Sequence, residues 1–359
     1  MNERDVRVRI IGVGGVGGRL AARIGQMGLP NVDIAAVDTC RDSLARLGLP
    51  WTVPIGSDEV AGGTGKRPEL GVKAAESAGP EIENLVAGGR IAVLIASFGG
   101  GTGAGAAPII AGRLHRAGAV AIVVGIEPFA FEGKARREAA RKASDFAAQV
   151  ADCMVLVPGH ASGSTCQPLS FAEMIRTINE QVANAVSSLA SIIVQPGAFE
   201  LDMGDVGRVL AKSGYAAVGF GRGSGPYAAV EAVRAACSSS LLDVQQLAAS
   251  QSVLLHLAAG DGVSTSEIEQ AAALFSRLSA AGDFVFGVVT RPELSDAAEA
   301  TVICSGFAAD DLPGLEASET QTDLEPARDP DAFYYDGQNI DIPTFLRRSR
   351  MGRSVAAVV

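Results

Sequence analysis

The first 165 or so residues alternate between short apolar runs and longer segments in which apolar residues recur every three or four positions. The second pattern, as at Leu20, Ile24 and Met27, predicts helices. The short runs predict buried strands at Val6–Ile11, Ile34–Val37, Ile91–Ala96, Val120–Gly125 and Met154–Val157. Strands that alternate with helices are typical of a parallel, doubly wound sheet. We therefore predict an α/β domain over residues 1–167.

A long helix and a second α/β region follow. Leu169–Ile193 has helical apolar spacing and no glycine or proline, which predicts a central helix within residues 168–194. The apolar pattern of residues 195–307 predicts a smaller α/β domain, in which Ser264 is placed to cap a helix. Its predicted strands are Ala216–Gly221, Val253–Ala258, Phe284–Thr290 and Ala300–Ser305, and its predicted helices are Tyr227–Ser238 and Ser264–Ala280.

The remaining residues differ in composition. Ala308–Asn339 contains nine acidic residues and one basic residue, which predicts a disordered, extended linker over 308–339. Residues 340–359 follow as a tail, in which Ile342, Phe345 and Leu346 provide apolar anchors. An isolated amphipathic peptide after a tether is typical of a docking motif that orders on binding a partner.

Charge and cysteine content exclude several classes of protein. The linker carries most of the net charge of −10, so the rest of the chain is nearly neutral and no basic face for nucleic acid is expected. No apolar stretch is long enough for direct membrane insertion, and no signal peptide is indicated. The five cysteines have no metal-site spacing and fit a reduced, cytoplasmic protein.

Two glycine-rich segments carry the candidate chemistry. Gly12–Gly18 and Gly99–Gly105 each follow a predicted strand and precede a predicted helix, where main-chain N–H groups form an anion site. The first segment, with Asp38 further on, also matches the dinucleotide fingerprint of an NAD-dependent oxidoreductase. A second glycine loop instead favours a longer phosphate chain, such as that of a nucleoside triphosphate. The P-loop sequence is absent.

The order of these motifs resembles the tubulin/FtsZ family of GTPases. Both glycine segments match the family, and the resemblance extends over nearly the whole chain. It is also carried by Pro128–Lys134, Glu200–Val206, Ser213–Ala216 and Asp341–Arg347. The last of these peptides points to the bacterial division branch of the family. The resemblance implies a cytoplasmic GTPase that assembles head to tail at the division site.

The resemblance also implies roles for particular residues. GTP, accompanied by Mg²⁺, is expected to contact Gly14, Gly15, Val16, Gly17, Gly18, Gly99, Gly100, Gly101, Thr102, Gly103, Ala104, Gly105, Glu132, Arg136, Asn179 and Glu180. Asp202 and Asp205 match the family's catalytic acids, which complete the site of the next subunit. Asp341–Arg350 is expected to bind membrane-tethering division proteins.

Four positions depart from the family pattern and keep an alternative open. They are Arg19, Ala104, Glu180 and Glu200. A negative charge at Glu200 would lie beside the neighbour's phosphates and could slow turnover. A slowly hydrolysing scaffold of the same family therefore remains an alternative, with the NAD-dependent oxidoreductase further behind.

Overall fold

The computed structural model describes residues 8–86, 91–159, 170–194, 207, 209–210, 214–239, 241–242, 244–279 and 282–307, together with 334–335 and 338–339. The chain divides into two units, Met1–Leu315 and Glu316–Val359. Of the second unit, the described part is a pair of antiparallel two-residue strands, β11 (Tyr334–Tyr335) and β12 (Gln338–Asn339). The remainder of the predicted linker and the whole predicted tail lie outside the described residues.

The first unit is built on one ten-stranded sheet, in the order β3-β2-β1-β4-β5-β6-β7-β10-β8-β9. Its strands are β1 (Val8–Val13), β2 (Val32–Asp38), β3 (Thr52–Pro54), β4 (Ile91–Ser97), β5 (Val120–Ile126), β6 (Cys153–Val157), β7 (Gly214–Ser224), β8 (Ser252–Ala259), β9 (Asp283–Thr290) and β10 (Ala297–Phe307). Pairing is parallel from β3 to β7, and β10 runs antiparallel to both β7 and β8. The parallel doubly wound sheet predicted from the sequence is confirmed.

Helices cover both faces of this sheet. They are α1 (Gly14–Gly25), α2 (Arg41–Ala45), α3 (Pro68–Ser77), α4 (Gly79–Val86), α5 (Gly101–Arg116), α6 (Lys134–Val150), α7 (Phe171–Val194), α8 (Ala228–Cys237), α9 (Val244–Ala249) and α10 (Thr265–Leu278). Successive residues of a strand point to opposite faces, so Ile10 and Ile11 of β1 belong to different cores. The core that contains Ile10 includes side chains of α1 and α7, and the core that contains Ile11 includes side chains of α3 to α6.

The central helix α7 agrees closely with the helix predicted from apolar spacing. Its buried side chains include Ile178, Val182, Val186 and Leu189, which recur at three- and four-residue intervals and pack on the sheet. Near its C-terminal end, the Ser188 hydroxyl hydrogen-bonds the hydroxyl of Thr301 on β10. This helix therefore joins the N-terminal part of the sheet to the part formed by β7 to β10.

Residues 41–86 contain elements that the sequence analysis left unassigned, namely α2, β3, α3 and α4. These elements are short, and glycine and proline interrupt the apolar pattern between them. Two local signals were nevertheless present. Pro68 occupies the first turn of α3, and Ile82 and Leu85 form a buried pair three residues apart on α4.

A buried histidine lies inside the C-terminal part of the sheet. His256 is on β8, opposite Thr301 of β10, and only 6% of its surface is exposed. Burial, reinforced by the positive charge of Arg291, lowers the pKa of His256 to about 4 from an ordinary value of 6.5. The folded protein therefore keeps this side chain neutral at a pH where the unfolded chain binds a proton.

We expect acid to destabilise the protein through His256. Stability should fall as the pH decreases from about 6.5 to about 4, by roughly 3 kcal/mol at most, because protons then bind the unfolded chain preferentially. The comparison is urea unfolding of wild type, His256→Gln and His115→Gln across this range. His256→Gln should lose much of the acid dependence. His115, an exposed partner of Asp152, is the matched control, and its replacement should leave the dependence in place. Equal slopes for all three proteins would contradict this assignment.

Candidate functional site

A cavity of about 600 Å³ opens at the carboxyl ends of the parallel strands. Its wall includes Val13 at the end of β1, Ser97 at the end of β4 and Ile126 at the end of β5. β1 and β4 are neighbours in the sheet although they are not consecutive in the chain. The chain reverses its winding at this point, which is where open α/β sheets bind ligands.

Two helix N-termini meet in this cavity. α1 begins at Gly14 and α5 at Gly101, and in neither helix does a side chain cap the first turn or an acidic residue occupy it. The first N–H groups of a helix have no partner within the helix, and its dipole favours negative charge at that end. Gly14–Val16 and Gly99–Gly103 line the cavity, so the main chain there presents a cradle for an anion such as phosphate.

The loops within the two glycine-rich segments are shorter than the sequence analysis predicted. Most of Gly12–Gly18 and Gly99–Gly105 is helical, and among these glycines only Gly14 has a positive φ, of 74°. Several of the others, including Gly17 and Gly103, allow close packing of the main chain. A Cβ atom at Gly17 would overlap the carbonyl oxygen of Ile95, and one at Gly103 would overlap that of Ser97. The absence of side chains thus lets both helices start directly against the strand ends.

The predicted contact residues separate into two groups. Those that line the cavity are Gly14, Gly15, Val16, Gly99, Gly100, Gly101, Thr102, Gly103, Glu132, Arg136 and Asn179. Gly17, Gly18, Ala104 and Gly105 lie in α1 and α5 behind this wall. Glu180 forms an ion pair with Arg23 of α1 at 3.2 Å, in which both side chains are 44% exposed. The predicted catalytic acids Asp202 and Asp205 lie outside the described residues.

A buried carboxylate lies beside the start of α5. Asp38, at the end of β2, accepts hydrogen bonds from the main chain of Cys40 and from the hydroxyl groups of Thr102 and Ser43. The hydroxyl groups of Thr102 and Thr39 lie 3.0 Å apart. Burial raises the pKa of Asp38, and these hydrogen bonds partly oppose the shift. The Asp38 carboxylate and the hydroxyl groups of Thr39 and Thr102 thus form a cluster of oxygen atoms beside the helix N-termini.

The opposite part of the wall comes from the segment after β5 and from α7. Glu132 pairs with Arg136 and also accepts the main-chain N–H of Phe129 at 3.0 Å. Ile175, Ile178 and Asn179 of α7 line the cavity beside them. An ion pair, an amide and apolar side chains suit the ribose and base of a nucleotide better than its phosphates.

The sequence analysis did not assign several lining residues to the site. They are Ser43, Arg46, Ser97, Ile126, Glu127, Phe129, Gly159, Ile175 and Ile178. One signal could have found Glu127, because it directly follows an apolar strand of a parallel sheet and must therefore lie at the ligand-binding edge.

Comparison with known families decides which family the chain belongs to. Residues 7–167 match the GTPase domain of the tubulin/FtsZ family, and residues 214–308 match the C-terminal domain of the FtsZ family. The chain belongs to the tubulin/FtsZ family of GTPases. The resemblance, the fold class and the GTPase activity expected from the sequence are thereby confirmed, and the NAD-dependent alternative loses its support.

Individual relatives agree with this assignment. The chain is 29% identical over 378 residues to the cell division protein FtsZ of Coxiella burnetii, covering 96% of this chain and 97% of the relative. A solved FtsZ mutant of M. jannaschii superposes with a TM-score of 0.78 at 26% identity, covering 84% and 92% of the two chains. CetZ2 of Haloferax volcanii, solved as a GTPγS-bound protofilament, gives 0.72 at 27% identity, covering 85% and 94%.

We expect Gly103→Ala to abolish nucleotide binding. The added Cβ would overlap the carbonyl oxygen of Ser97 and push the start of α5 away from the sheet, which would disperse the N–H groups of the cradle. Gly62→Ala is the matched control, because no atom lies within 4 Å of a Cβ built there. Equilibrium dialysis with labelled GDP measures both. Similar affinity in the two variants would mean that the cradle tolerates the displacement.

Proposed function

We propose that this protein binds GTP in the cavity, hydrolyses it and assembles into filaments that act in bacterial cell division, in the cytoplasm at the division site. One observation carries the proposal. Two glycine-rich helix N-termini without side-chain caps converge at the point where the chain reverses its winding around the sheet. Both helices lie within residues 7–167, which match a tubulin/FtsZ GTPase domain. The cavity of about 600 Å³ is large enough for a nucleotide.

The wall suggests how GTP lies in the cavity. Its phosphates would accept hydrogen bonds from the main chain of Gly14–Val16 and Gly99–Gly103. The ribose would lie near Glu132 and Arg136, and the base near Asn179 of α7. In the structure, the carboxylate of Glu180 pairs with Arg23. Glu180 would therefore recognise the base only after this ion pair opens on nucleotide binding.

A magnesium ion fits the phosphate end of the cavity. Mg²⁺ prefers oxygen ligands and commonly combines one or two carboxylates with the phosphates of its substrate. The Asp38 carboxylate and the Thr39 and Thr102 hydroxyl groups provide such oxygens beside the cradle. When bound, the ion would neutralise charge on the phosphates. Asp38 would orient it.

Hydrolysis requires a water molecule aligned with the terminal phosphate and groups that orient it. We assign that role to Asp202 and Asp205 of the neighbouring subunit, so each site becomes complete only in a head-to-tail contact. Such a contact repeats without closing and produces a filament. The proposal is supported by the solved FtsZ dimer of M. jannaschii and by the CetZ2 protofilament, both similar to this chain.

We expect Asp205→Asn to retain GTP binding and to lose nearly all hydrolysis, while its filaments persist longer. Phosphate release and sedimentation on the same samples, measured against protein concentration, give both results. Wild-type hydrolysis should rise steeply with concentration because the site forms between subunits. Asp261→Asn, at an exposed turn, is the control and should behave as wild type.

Mixing Asp205→Asn with Gly103→Ala adds a second test. The two defects lie on different sides of the shared contact, so the mixture should recover part of the activity. Wild-type turnover in Asp205→Asn alone would remove this residue from the mechanism.

A slowly hydrolysing scaffold is the second candidate. The observation that favours it is the Arg23–Glu180 pair, which engages a residue expected to read the base. The concentration series above separates the two candidates, because a scaffold would sediment with GTP while releasing phosphate slowly at every concentration.

We also propose that the tail binds membrane-tethering division proteins through Asp341–Arg350. Ile342, Phe345 and Leu346 supply apolar anchors, and Arg347, Arg348 and Arg350 supply positive charge. The linker before them is acidic and poor in apolar residues, so the peptide can reach a partner while the folded unit stays in the filament. Among the described residues, no helix combines the length and apolar character needed to cross a bilayer.

We expect deletion of residues 341–350 to leave GTP hydrolysis and filament formation unchanged. It should abolish co-sedimentation with lipid vesicles that carry a membrane-tethering division protein. A variant in which the same ten residues are scrambled is the matched control for length and charge, and it should also fail to bind. Full co-sedimentation of the deleted protein would place attachment in the folded unit instead.

A further inference from the structure

Glu127 lies in the wall of the cavity, and the proposed function gives it no role. It directly follows β5 and is half-buried. Its main-chain N–H donates to the carbonyl oxygen of Val157 at 2.9 Å, and its carboxylate accepts the N–H of Gly159. Both bonds tie the residue to the end of β6. The carboxyl group is therefore held at a fixed place in the cavity wall.

The charged groups near this carboxyl group are already engaged with one another. In the segment after β5, Glu132 pairs with Arg136. Towards β7, Tyr215 donates to Asp145 at 3.0 Å, and Asp145 lies 3.9 Å from Arg141. The wall residue that β4 contributes on this side is Ser97, which is uncharged. The segment after β6 contributes the main-chain N–H of Gly159, which donates to the Glu127 carboxylate. Both arginines thus have another carboxylate as partner.

This environment disfavours the ionised form of Glu127. Burial raises the pKa of Glu127 to about 7, against the smaller opposing effect of the hydrogen bond from Gly159. A bound nucleotide would remove more water and add negative charge to the same cavity, and both changes favour the neutral acid further. A neutral carboxylic acid also gains an O–H donor that the carboxylate lacks.

We propose that Glu127 contacts the bound nucleotide as a neutral acid, donating a hydrogen bond to an acceptor on the nucleoside part, so that binding takes up a proton from solvent. Glu127 belongs to the segment after β5, which together with Ile175 and Asn179 of α7 forms the part of the wall that suits the ribose and base. The phosphate cradle is formed instead by the starts of α1 and α5. The inference rests on the proposed function, because it requires that a guanine nucleotide occupies this cavity.

The test is the affinity for GDP, a probe that the protein does not hydrolyse, measured by calorimetry at about pH 6 and about pH 8. Glu127→Gln mimics the neutral acid in shape and hydrogen bonding. The ratio of the wild-type Kd to the variant Kd should rise by about tenfold between these pH values, because wild type must first protonate Glu127. The phosphates of GDP titrate near pH ~6 as well, but they do so equally for both proteins, so the ratio isolates Glu127.

Glu269→Gln is the matched control, since this glutamate is exposed on α10 and should follow wild type at both pH values. At about pH 7.5, titration in buffers of different ionisation enthalpy should show more proton uptake by wild type than by Glu127→Gln. Thermal unfolding at about pH 6 verifies that the variant is folded.

Two results would overturn the inference while leaving the proposed function intact. The first is a constant ratio of the two Kd values across pH. The second is weak GDP binding by Glu127→Gln at both pH values, which would mean that the nucleotide requires the carboxylate. If wild type bound neither GDP nor GTP at about pH 6, the proposed function itself would fail.

Discussion

The nucleotide site depends on the direct contact between two helix starts and the ends of the central strands. The main chain of α1 at Gly17 lies against the carbonyl oxygen of Ile95, and that of α5 at Gly103 lies against Ser97. No other residue type allows so close an approach, because any Cβ would occupy the space of a carbonyl oxygen. The rigidity of the sheet thereby fixes where the N–H groups point, and an anion meets donors that need no rearrangement.

α7 extends the influence of this site across the molecule. Ile175, Ile178 and Asn179 of this helix line the cavity, while Ser188 near its other end contacts Thr301 on β10. Between the two halves of the sheet, β6 and β7 pair over only three residues, Cys153–Val155 with Gly214–Ala216. α7 both lines the cavity and contacts the C-terminal strands, so it is a structural connection between them in addition to the pairing of β6 with β7.

The sequence predicted the parts of the fold that depend on regular periodicity. The strands of the central sheet and the helix α7 have long, uninterrupted apolar patterns, and their predicted bounds agree with the structure within a few residues. Ser264 caps α10 as predicted, accepting the N–H of Glu267 at 3.3 Å. Residues 41–86 escaped prediction because their elements are short and obtain their stability from tertiary contacts such as those of Ile82 and Leu85.

The candidate site was predicted in part for a related reason. Glycine-rich segments after strands identified the cradle, but their helical conformation and their contacts with Ile95 and Ser97 emerge only when the sheet is assembled. Asp38 was noticed only as part of the dinucleotide fingerprint, and the burial of Asp38 and Glu127 became visible only in the folded structure, because a local pattern does not record burial.

The cradle has a consequence for how such a protein can evolve. Its donors belong to the main chain, so exchanging side chains adds nothing to them, and a Cβ at Gly17 or Gly103 only removes them. Substitutions elsewhere in the wall therefore leave these main-chain donors in place. Differences in nucleotide preference and turnover among such proteins are therefore expected at exposed lining side chains such as Arg19 and Arg46.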